Sequence, residues 1–203
     1  GDVNLDGTYD FMAYASYDST LGVKTGLPFY INGLEDAHVP LNMPIIPAGA
    51  NIGHSVSFLD SDMNGEEEAY ISAHRSSDPT LGVFSGTVSA HYPTGTSWSP
   101  DLDQEINLPV SRNSGTFGYD VKQIGDFNND NYPDLAILSY QHRNNDFAVT
   151  QPSTCAYKGY GAVYIYLGSE TGIPDNPSFR IQPKTGTNYP AKVIGDFDFN
   201  GDG

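Results

Sequence analysis

Short apolar runs alternate with acidic or glycine-containing turns along most of this chain. The runs are too short for typical helices and are bounded by turn residues, a pattern that predicts β-strands. Three kinds of run recur in the same order. The first kind precedes an acidic turn, at 53–59, 118–124 and 189–194. The second kind follows such a turn directly, at Phe11–Ala15, 69–73 and Leu135–Ser139, and the third kind starts at a glycine, at 26–31, 86–91 and 161–166. A weaker fourth run, such as 179–182, follows. The chain is therefore predicted to be all-β.

The acidic turns follow one template of nine positions. Oxygen-bearing side chains stand at positions 1, 3, 5 and 9, and glycine or asparagine stands at position 6. Complete copies occupy residues 2–10, 60–68 and 126–134, and a fourth copy at 196–203 reaches position 8. The copies begin roughly 60–70 residues apart, and self-similarity at a fixed period indicates a repeat architecture.

The repeat divides one predicted domain, residues 1–203, into units at about 2–59, 60–125 and 126–195, with the start of a further unit at 196–203. Four short antiparallel strands per unit are typical of a β-propeller blade. About three blades are too few to close a ring, so we expect the remaining blades to come from the same parent chain or from other chains. A β-sandwich with incidental acidic turns is the alternative, and four copies in phase disfavour it.

The turns offer the ligands that Ca²⁺ requires, because calcium takes roughly six to eight oxygen ligands, several of them anionic. Side chains at positions 1, 3 and 5 turn toward one centre, position 7 can offer its backbone carbonyl, and position 9 closes the shell. Position 6 requires a positive φ, which glycine and asparagine adopt most readily. We predict about four calcium sites, the last one incomplete in this chain. Their predicted ligands are Asp2, Asn4, Asp6, Thr8, Asp10, Asp60, Asp62, Asn64, Glu66, Glu68, Asp126, Asn128, Asp130, Tyr132, Asp134, Asp196, Asp198, Asn200 and Asp202.

The EF-hand is the competing calcium loop, and it requires a bidentate glutamate at position 12 and flanking helices. The corresponding residues here are Ala13, Ile71 and Ile137, each inside an apolar run. A calcium-binding hairpin is therefore the preferred interpretation.

Acidic residues outnumber basic ones by 25 to 9, and the formal net charge is −16. A phosphate backbone and an anionic membrane surface both require the opposite charge, so neither is an expected partner. The single cysteine, Cys155, can form no disulfide within the chain. No apolar run has the length of a membrane-spanning helix, and we expect no direct membrane insertion of this segment.

The motifs at 53–56, 125–130, 161–168 and 195–202 resemble the FG-GAP repeats of integrin α-chain β-propellers. The resemblance extends over nearly the whole chain. It implies a propeller that often has seven blades, with a calcium hairpin between the first and second strands of a blade, and a role in adhesion. The sequence departs from that pattern by an insertion at about 141–158.

The sequence favours a non-catalytic module for extracellular adhesion or protein recognition, at the cell surface or secreted. No His-Glu-x-x-His, Gly-x-Ser-x-Gly or phosphate-binding glycine motif is present. The alternatives are a carbohydrate-binding propeller, in which Trp98 and Tyr92 could stack on a sugar, and an accessory propeller of a larger secreted enzyme. The expected ligand is an extracellular protein or glycan on the face opposite the calcium turns. We expect the insertion and the inter-blade connections near 42–52, 100–117 and 183–188 to contribute to that face.

Overall fold

The computed structural model describes residues 11–15, 27–31, 38–40, 49–77, 85–92, 103–107, 115–140, 161–181 and 192–195. Within these ranges the chain is all-β and has no helix, which confirms the predicted class. The described strands are β1 (Phe11–Ala15), β2 (Leu27–Ile31), β3 (His38–Pro40), β4 (Ile52–Leu59), β5 (Glu68–Ala73), β6 (Thr87–His91), β7 (Gln104–Asn107), β8 (Phe117–Gln123), β9 (Leu135–Ser139), β10 (Ala162–Tyr166) and β11 (Phe179–Ile181).

The strands form three antiparallel sheets in which neighbours in sequence are neighbours in space. Two sheets have four strands, in the orders β4-β5-β6-β7 and β8-β9-β10-β11, and the described part of the first sheet has the order β1-β2-β3. A four-stranded antiparallel meander is the unit of a propeller blade. The predicted blades are confirmed for the two four-stranded sheets. The unit boundaries and the total number of blades stay predictions.

β7 departs from the predicted strands. Its residues lie within 100–117, a segment expected to connect two blades, but they pair with β6 from Thr87↔Asn107 to Ala90↔Gln104. The strand was missed because Ile106 is its single apolar residue, flanked by polar ones. Residues 192–195, the described part of the third predicted approach run, belong to no strand.

The two four-stranded blades share one hydrophobic core. Every residue of β5, β6 and β9 is buried. β9 is apolar from Leu135 to Leu138, whereas in β6 the buried polar residues Thr87, Ser89 and His91 alternate with apolar ones. The core side chains come from both blades and include Leu59, Tyr70, Val88, Ile106, Phe117, Val121, Ile137, Tyr164 and Tyr166.

The first strands of the two blades repeat one irregularity. Pairing shifts register between Ile52 and Val56 on β4, and between Phe117 and Asp120 on β8. A glycine with positive φ lies inside each shift, Gly53 at 77° and Gly118 at 80°. A bulge of this kind bends a strand and re-aims its side chains. The repeat seen in the sequence therefore extends to the backbone.

The residue two places after each of these glycines links its blade to the next. The Ser55 Oγ accepts the Val121 N–H at 3.0 Å and donates to the Asp120 Oδ1 at 3.0 Å. Asp120, the equivalent residue of the following blade, accepts the Val193 N–H at 2.8 Å. Successive blades are thus connected by a repeated hydrogen bond between their first segments.

Candidate metal centres

Two of the four acidic turns, 60–68 and 126–134, lie within the described residues. The first connects β4 to β5 and the second connects β8 to β9, so each joins the first two strands of its blade. No helix flanks either of these two turns, which excludes the EF-hand alternative for both.

The carboxylate at position 1 organises both turns in the same way. In each turn it accepts the backbone N–H groups of positions 5 and 6. The bonds are Asn64 N–H to Asp60 Oδ1 (3.0 Å), Gly65 N–H to Asp60 Oδ2 (2.9 Å), Asp130 N–H to Asp126 Oδ1 (3.0 Å) and Asn131 N–H to Asp126 Oδ2 (2.7 Å). An Asp side chain that bonds to following backbone amides is a common device for closing a turn.

Positions 3, 5 and 7 also repeat their contacts, with acid and amide exchanged between the turns. One amide group binds one carboxylate in each case, from Asn64 Nδ2 to Asp62 Oδ2 at 3.1 Å and from Asn128 Nδ2 to Asp130 Oδ2 at 2.8 Å. The position 7 N–H then donates to the position 5 side chain. These bonds are Glu66 N–H to Asn64 Oδ1 (2.7 Å) and Tyr132 N–H to Asp130 Oδ1 (2.9 Å).

Two residues in each turn have positive φ. At position 6, Gly65 has a φ of 93° and Asn131 a φ of 73°, as the template predicts. At position 4, Met63 has a φ of 60° and Asn129 a φ of 62°. The sequence gives no signal for position 4, because its residue type varies between the copies and methionine rarely adopts this conformation.

The carboxylate at position 9 closes each turn by accepting the N–H of position 2. The Ser61 N–H donates to the Glu68 Oε2 at 2.9 Å, and the Phe127 N–H donates to the Asp134 Oδ2 at 2.8 Å. The second oxygen of Asp134 accepts the Gly168 N–H at 2.9 Å. This last bond connects the turn to the segment between β10 and β11.

Asp60, Asp62 and Glu68 bring ligand oxygens to within 4.8 Å of one another, and among the described residues they are the one acidic or histidine group of three with this geometry. The pKa of Glu68 is raised from 4.5 to about 7, chiefly by burial and to a smaller extent by the charges of Asp62 and Asp60, while the Ser61 hydrogen bonds act to lower it. Burial likewise raises the pKa of Asp134, while the amides of Gly168 and Phe127 lower it. The first turn therefore carries concentrated negative charge on a partly desolvated site.

The donor set of the first turn fits a hard cation. Three carboxylates and the amide oxygen of Asn64 are oxygen ligands of the kind that Ca²⁺ prefers. The second turn presents the same template with Asn128 in place of an acid, but its three carboxylates do not meet within the same distance. The structure thus brings together the predicted ligands of 60–68 more closely than those of 126–134.

The other two predicted sites lie outside the described residues and stay predictions. They comprise Asp2, Asn4, Asp6, Thr8 and Asp10 in the first copy, and Asp196, Asp198, Asn200 and Asp202 in the fourth. The predicted insertion at 141–158, with Cys155, also lies outside the described residues.

The connections between third and fourth strands share a face with the acidic turns, as hairpin connectivity requires. A Cβ added at Gly172, after β10, would lie 3.3 Å from the Ser61 Oγ and 3.8 Å from the Tyr92 Oη. The Gln104 Nε2 donates to the backbone carbonyl of Ile173 at 2.9 Å, across the two blades. Tyr92, the residue considered for stacking on a sugar, is thus a half-buried side chain on the same face as the acidic turns.

A cluster of aromatic rings occupies the opposite end of the two blades. The ring of His54 lies 4.3 Å from that of His74 and 4.9 Å from that of Tyr119, and Tyr119 stacks on Tyr140 at 4.8 Å. His74 is buried, and its Nδ1 has no hydrogen-bond partner among the described residues. Burial lowers the pKa of His74 from 6.5 to about 3, with further contributions from His54 and Arg75. Sequence reasoning treated these histidines as separate residues, since only the fold brings them together.

Comparison with curated proteins returns integrin α chains. The chain is similar to parts of integrin α chains. It is 28% identical to integrin alpha-6 of Gallus gallus over 141 residues, 69% of this chain. It is 40% identical to integrin alpha-PS5 of Drosophila melanogaster over 76 residues, 37% of this chain, and 35% identical to integrin alpha-E of Mus musculus over 91 residues, 43% of this chain. The resemblance inferred from the motifs is confirmed.

The similarity concerns a small part of each relative. The aligned residues make up 11% of the chicken protein, 6% of the fly protein and 7% of the mouse protein. No protein-family model matches the chain. In the described part of the chain, no helix is long and apolar enough to cross a membrane.

Proposed function

We propose that this chain is a calcium-binding, integrin-like β-propeller module that serves extracellular adhesion or protein recognition and has no catalytic role. The observation that carries the proposal is the repeated hydrogen-bonded turn, which in 60–68 collects three carboxylates within 4.8 Å. Similarity to parts of several integrin α chains supports the extracellular setting and the adhesion role. We expect the remaining blades to come from the same parent chain or from other chains, and the ligand to be an extracellular protein or glycan.

Calcium is favoured over magnesium by the nature of the ligand set. Mg²⁺ demands a near-ideal octahedron and retains several waters, whereas Ca²⁺ accepts many oxygens in flexible geometry. The first turn supplies several side-chain oxygens at a hairpin tip, with Asp62 and Asn64 already in contact at 3.1 Å. Extracellular calcium modules bind with dissociation constants of about 10⁻⁴–10⁻³ M, and we expect an affinity in this range.

Calcium that binds only the folded chain must stabilise it. A hundredfold excess over the dissociation constant contributes about 2.7 kcal/mol per site. The test is thermal or urea unfolding in calcium, in magnesium and in chelator, together with calorimetric titration of calcium. We expect a higher midpoint in calcium alone, and an identical midpoint in calcium and chelator would refute the proposal.

A matched pair of variants assigns the effect to the turn. Asp62→Asn removes one carboxylate from the group and is expected to weaken calcium binding at this turn about tenfold or more, as expected when a charged ligand is lost. Glu170→Gln removes an exposed acid on the same face, outside all four turns, and should leave the calcium response unchanged. Equal calcium responses in the two variants would show that the stabilisation does not come from this turn.

The recognition role is tested separately from the metal. The parent chain, or the assembled propeller, is screened for binding to extracellular matrix proteins and to a glycan array in calcium and in chelator. Calcium-dependent capture of a protein ligand supports the proposal. Binding restricted to glycans would favour the carbohydrate-binding alternative instead.

A further inference from the structure

The tip of the first described turn contains an Asn-Gly dipeptide, Asn64–Gly65. Asparagine followed by glycine is the sequence most prone to deamidation, because glycine has no side chain to hinder attack by its own backbone nitrogen. In this reaction the Gly65 nitrogen loses its proton and bonds to the Asn64 Cγ, the bond from Cγ to Nδ2 breaks, and the NH2 group takes up a proton and leaves as ammonia. Water then opens the resulting succinimide to aspartate or isoaspartate.

Nothing in the described surroundings hinders this reaction sterically. Asn64 is exposed, so water has access to the side chain. A Cβ added at Gly65 would meet no atom within 4 Å, so the flank of the attacking nitrogen is also open. Packing therefore gives Asn64 no protection.

Hydrogen bonds hold both reacting groups instead. The N–H of Gly65, whose nitrogen would attack, donates a hydrogen bond to the Asp60 Oδ2 at 2.9 Å. The Asn64 side chain is held at both ends, because its Oδ1 accepts the Glu66 N–H at 2.7 Å and its Nδ2 donates to the Asp62 Oδ2 at 3.1 Å. The amide carbon cannot turn onto the nitrogen until at least some of these bonds break.

The acceptors that hold this dipeptide are themselves predicted cation ligands. Asp60, Asp62 and Glu68 lie within 4.8 Å of one another, and uncompensated carboxylates at such distances repel. A bound cation offsets this repulsion and keeps Asp60 and Asp62 in place. Loss of the cation should therefore loosen the bonds that restrain Asn64.

We propose that Asn64 is a deamidation site that the cation-loaded turn protects and that opens when the cation leaves. The inference rests on the proposed calcium-binding function. Adding calcium back does not reverse deamidation, so the fraction of deamidated Asn64 increases with the total time that the turn has spent without calcium.

The two products have different consequences for the site. Aspartate at position 5 reproduces the residue found in the second described turn, Asp130, and retains an oxygen ligand. Isoaspartate inserts a methylene group into the backbone, so positions 6–9 no longer hold their places relative to Asp60. We expect the aspartate product to bind calcium and the isoaspartate product to lose it.

The experiment follows deamidation of the intact chain by peptide mapping during incubation at mildly alkaline pH, in calcium and in chelator. Fragmentation that separates isoaspartate from aspartate assigns the products, and distinguishes Asn64 from the other Asn-Gly pairs at 32–33 and 200–201. We expect Asn64 to react at least about tenfold faster in chelator, a ratio that corresponds to about 1.4 kcal/mol. Equal rates in the two conditions would overturn the proposal.

Two variants separate opening of this turn from general unfolding. In Asp60→Asn, Asn64 should react in calcium about as fast as the unmodified chain does in chelator. In Asp126→Asn, which alters the other described turn, Asn64 should remain protected by calcium. Loss of protection in both variants alike would point to unfolding of the whole chain and would contradict a local effect.

A calorimetric calcium titration of the same samples distinguishes failure of the deamidation inference from failure of the proposed function. If calcium binds and the Asn64 rate does not respond, the deamidation inference fails and the proposed function stands. If calcium does not bind, the proposed function fails and cation-dependent protection fails with it. Asn64→Asp supplies the aspartate product directly, and its failure to bind calcium would contradict the expected difference between the products.

Discussion

Burial of a neutral histidine predicts that the chain loses stability as the pH falls from neutrality. His74 follows β5, is buried, and packs against His54 with ring centroids 4.3 Å apart. Burial lowers its pKa from 6.5 to about 3. The folded state thus binds fewer protons than the unfolded state between these two values, and its stability is complete above the unfolded pKa and declines below it.

The size of the effect follows from the two pKa values. Each unit of difference is worth about 1.36 kcal/mol. At about pH 5 the unfolded histidine is almost fully protonated and the folded one is not, so the folded state is about 2 kcal/mol less stable than at pH 8 from this residue alone. The loss continues until the pH falls to the pKa of the folded state.

His74→Phe isolates this contribution. Phenylalanine keeps a ring against His54 and Tyr119 but cannot be protonated, and it also removes the Nδ1 that lacks a partner. Urea unfolding of both proteins is measured at pH 8 and at pH 5, in chelator. From pH 8 to pH 5, the unfolding free energy of the variant relative to that of the unmodified chain should rise by about 2 kcal/mol. Parallel pH profiles for the unmodified chain and His74→Phe would refute the reasoning.

Further substitutions test the packing between blades and the turn geometry. Gly86→Ala would place a Cβ against the backbone of Phe117 in the next blade and should lower the free energy of unfolding by about 2–3 kcal/mol in chemical denaturation. Gly65→Ala meets open space, so only its positive φ matters, and it should lower the free energy of unfolding by about 1–2 kcal/mol. Equal costs would contradict the inter-blade contact. Asp120→Ala removes the acceptor of the 3.0 Å bond from the Ser55 hydroxyl and the acceptor of the Val193 N–H, and should cost about 1–3 kcal/mol in the same assay. A neutral result would show that these bonds between blades do not contribute to stability.

The strands that the sequence predicted best are the ones buried on both sides. Leu135–Ser139 coincides with β9, and every residue of that strand is buried. Its apolar run from Leu135 to Leu138 is unbroken and is visible in the sequence. β7 has one buried residue of four and so carries no such signal. Its place is fixed by pairing with β6, which is a tertiary property.

The sequence predicts which positions of each acidic turn carry oxygen-bearing side chains, but it does not predict the hydrogen bonds that connect the turn to the rest of the blade. Oxygen-bearing side chains at positions 1, 3, 5 and 9 are a local sequence property, and so is the glycine or asparagine at position 6. The bond from the Gly168 N–H to the Asp134 Oδ1 joins residues that are 34 apart in the sequence. The aromatic cluster around His74 likewise draws on both blades, so local sequence patterns could not predict it.

The repeated turn has to satisfy two opposing demands, and this explains its composition. The backbone N–H groups of a tight hairpin need acceptors, and the Asp60 carboxylate serves two of them at 2.9 and 3.0 Å. Carboxylates that serve this purpose accumulate charge, and the raised pKa of Glu68, about 7, reflects burial together with that charge. A proton on Glu68 relieves the repulsion below its pKa of about 7, whereas at alkaline pH a cation is needed to relieve it without losing the acceptors. The same side chains therefore shape the turn and form the donor set of the proposed cation site, so a substitution at Asp60 should affect folding of the hairpin and the proposed metal binding together.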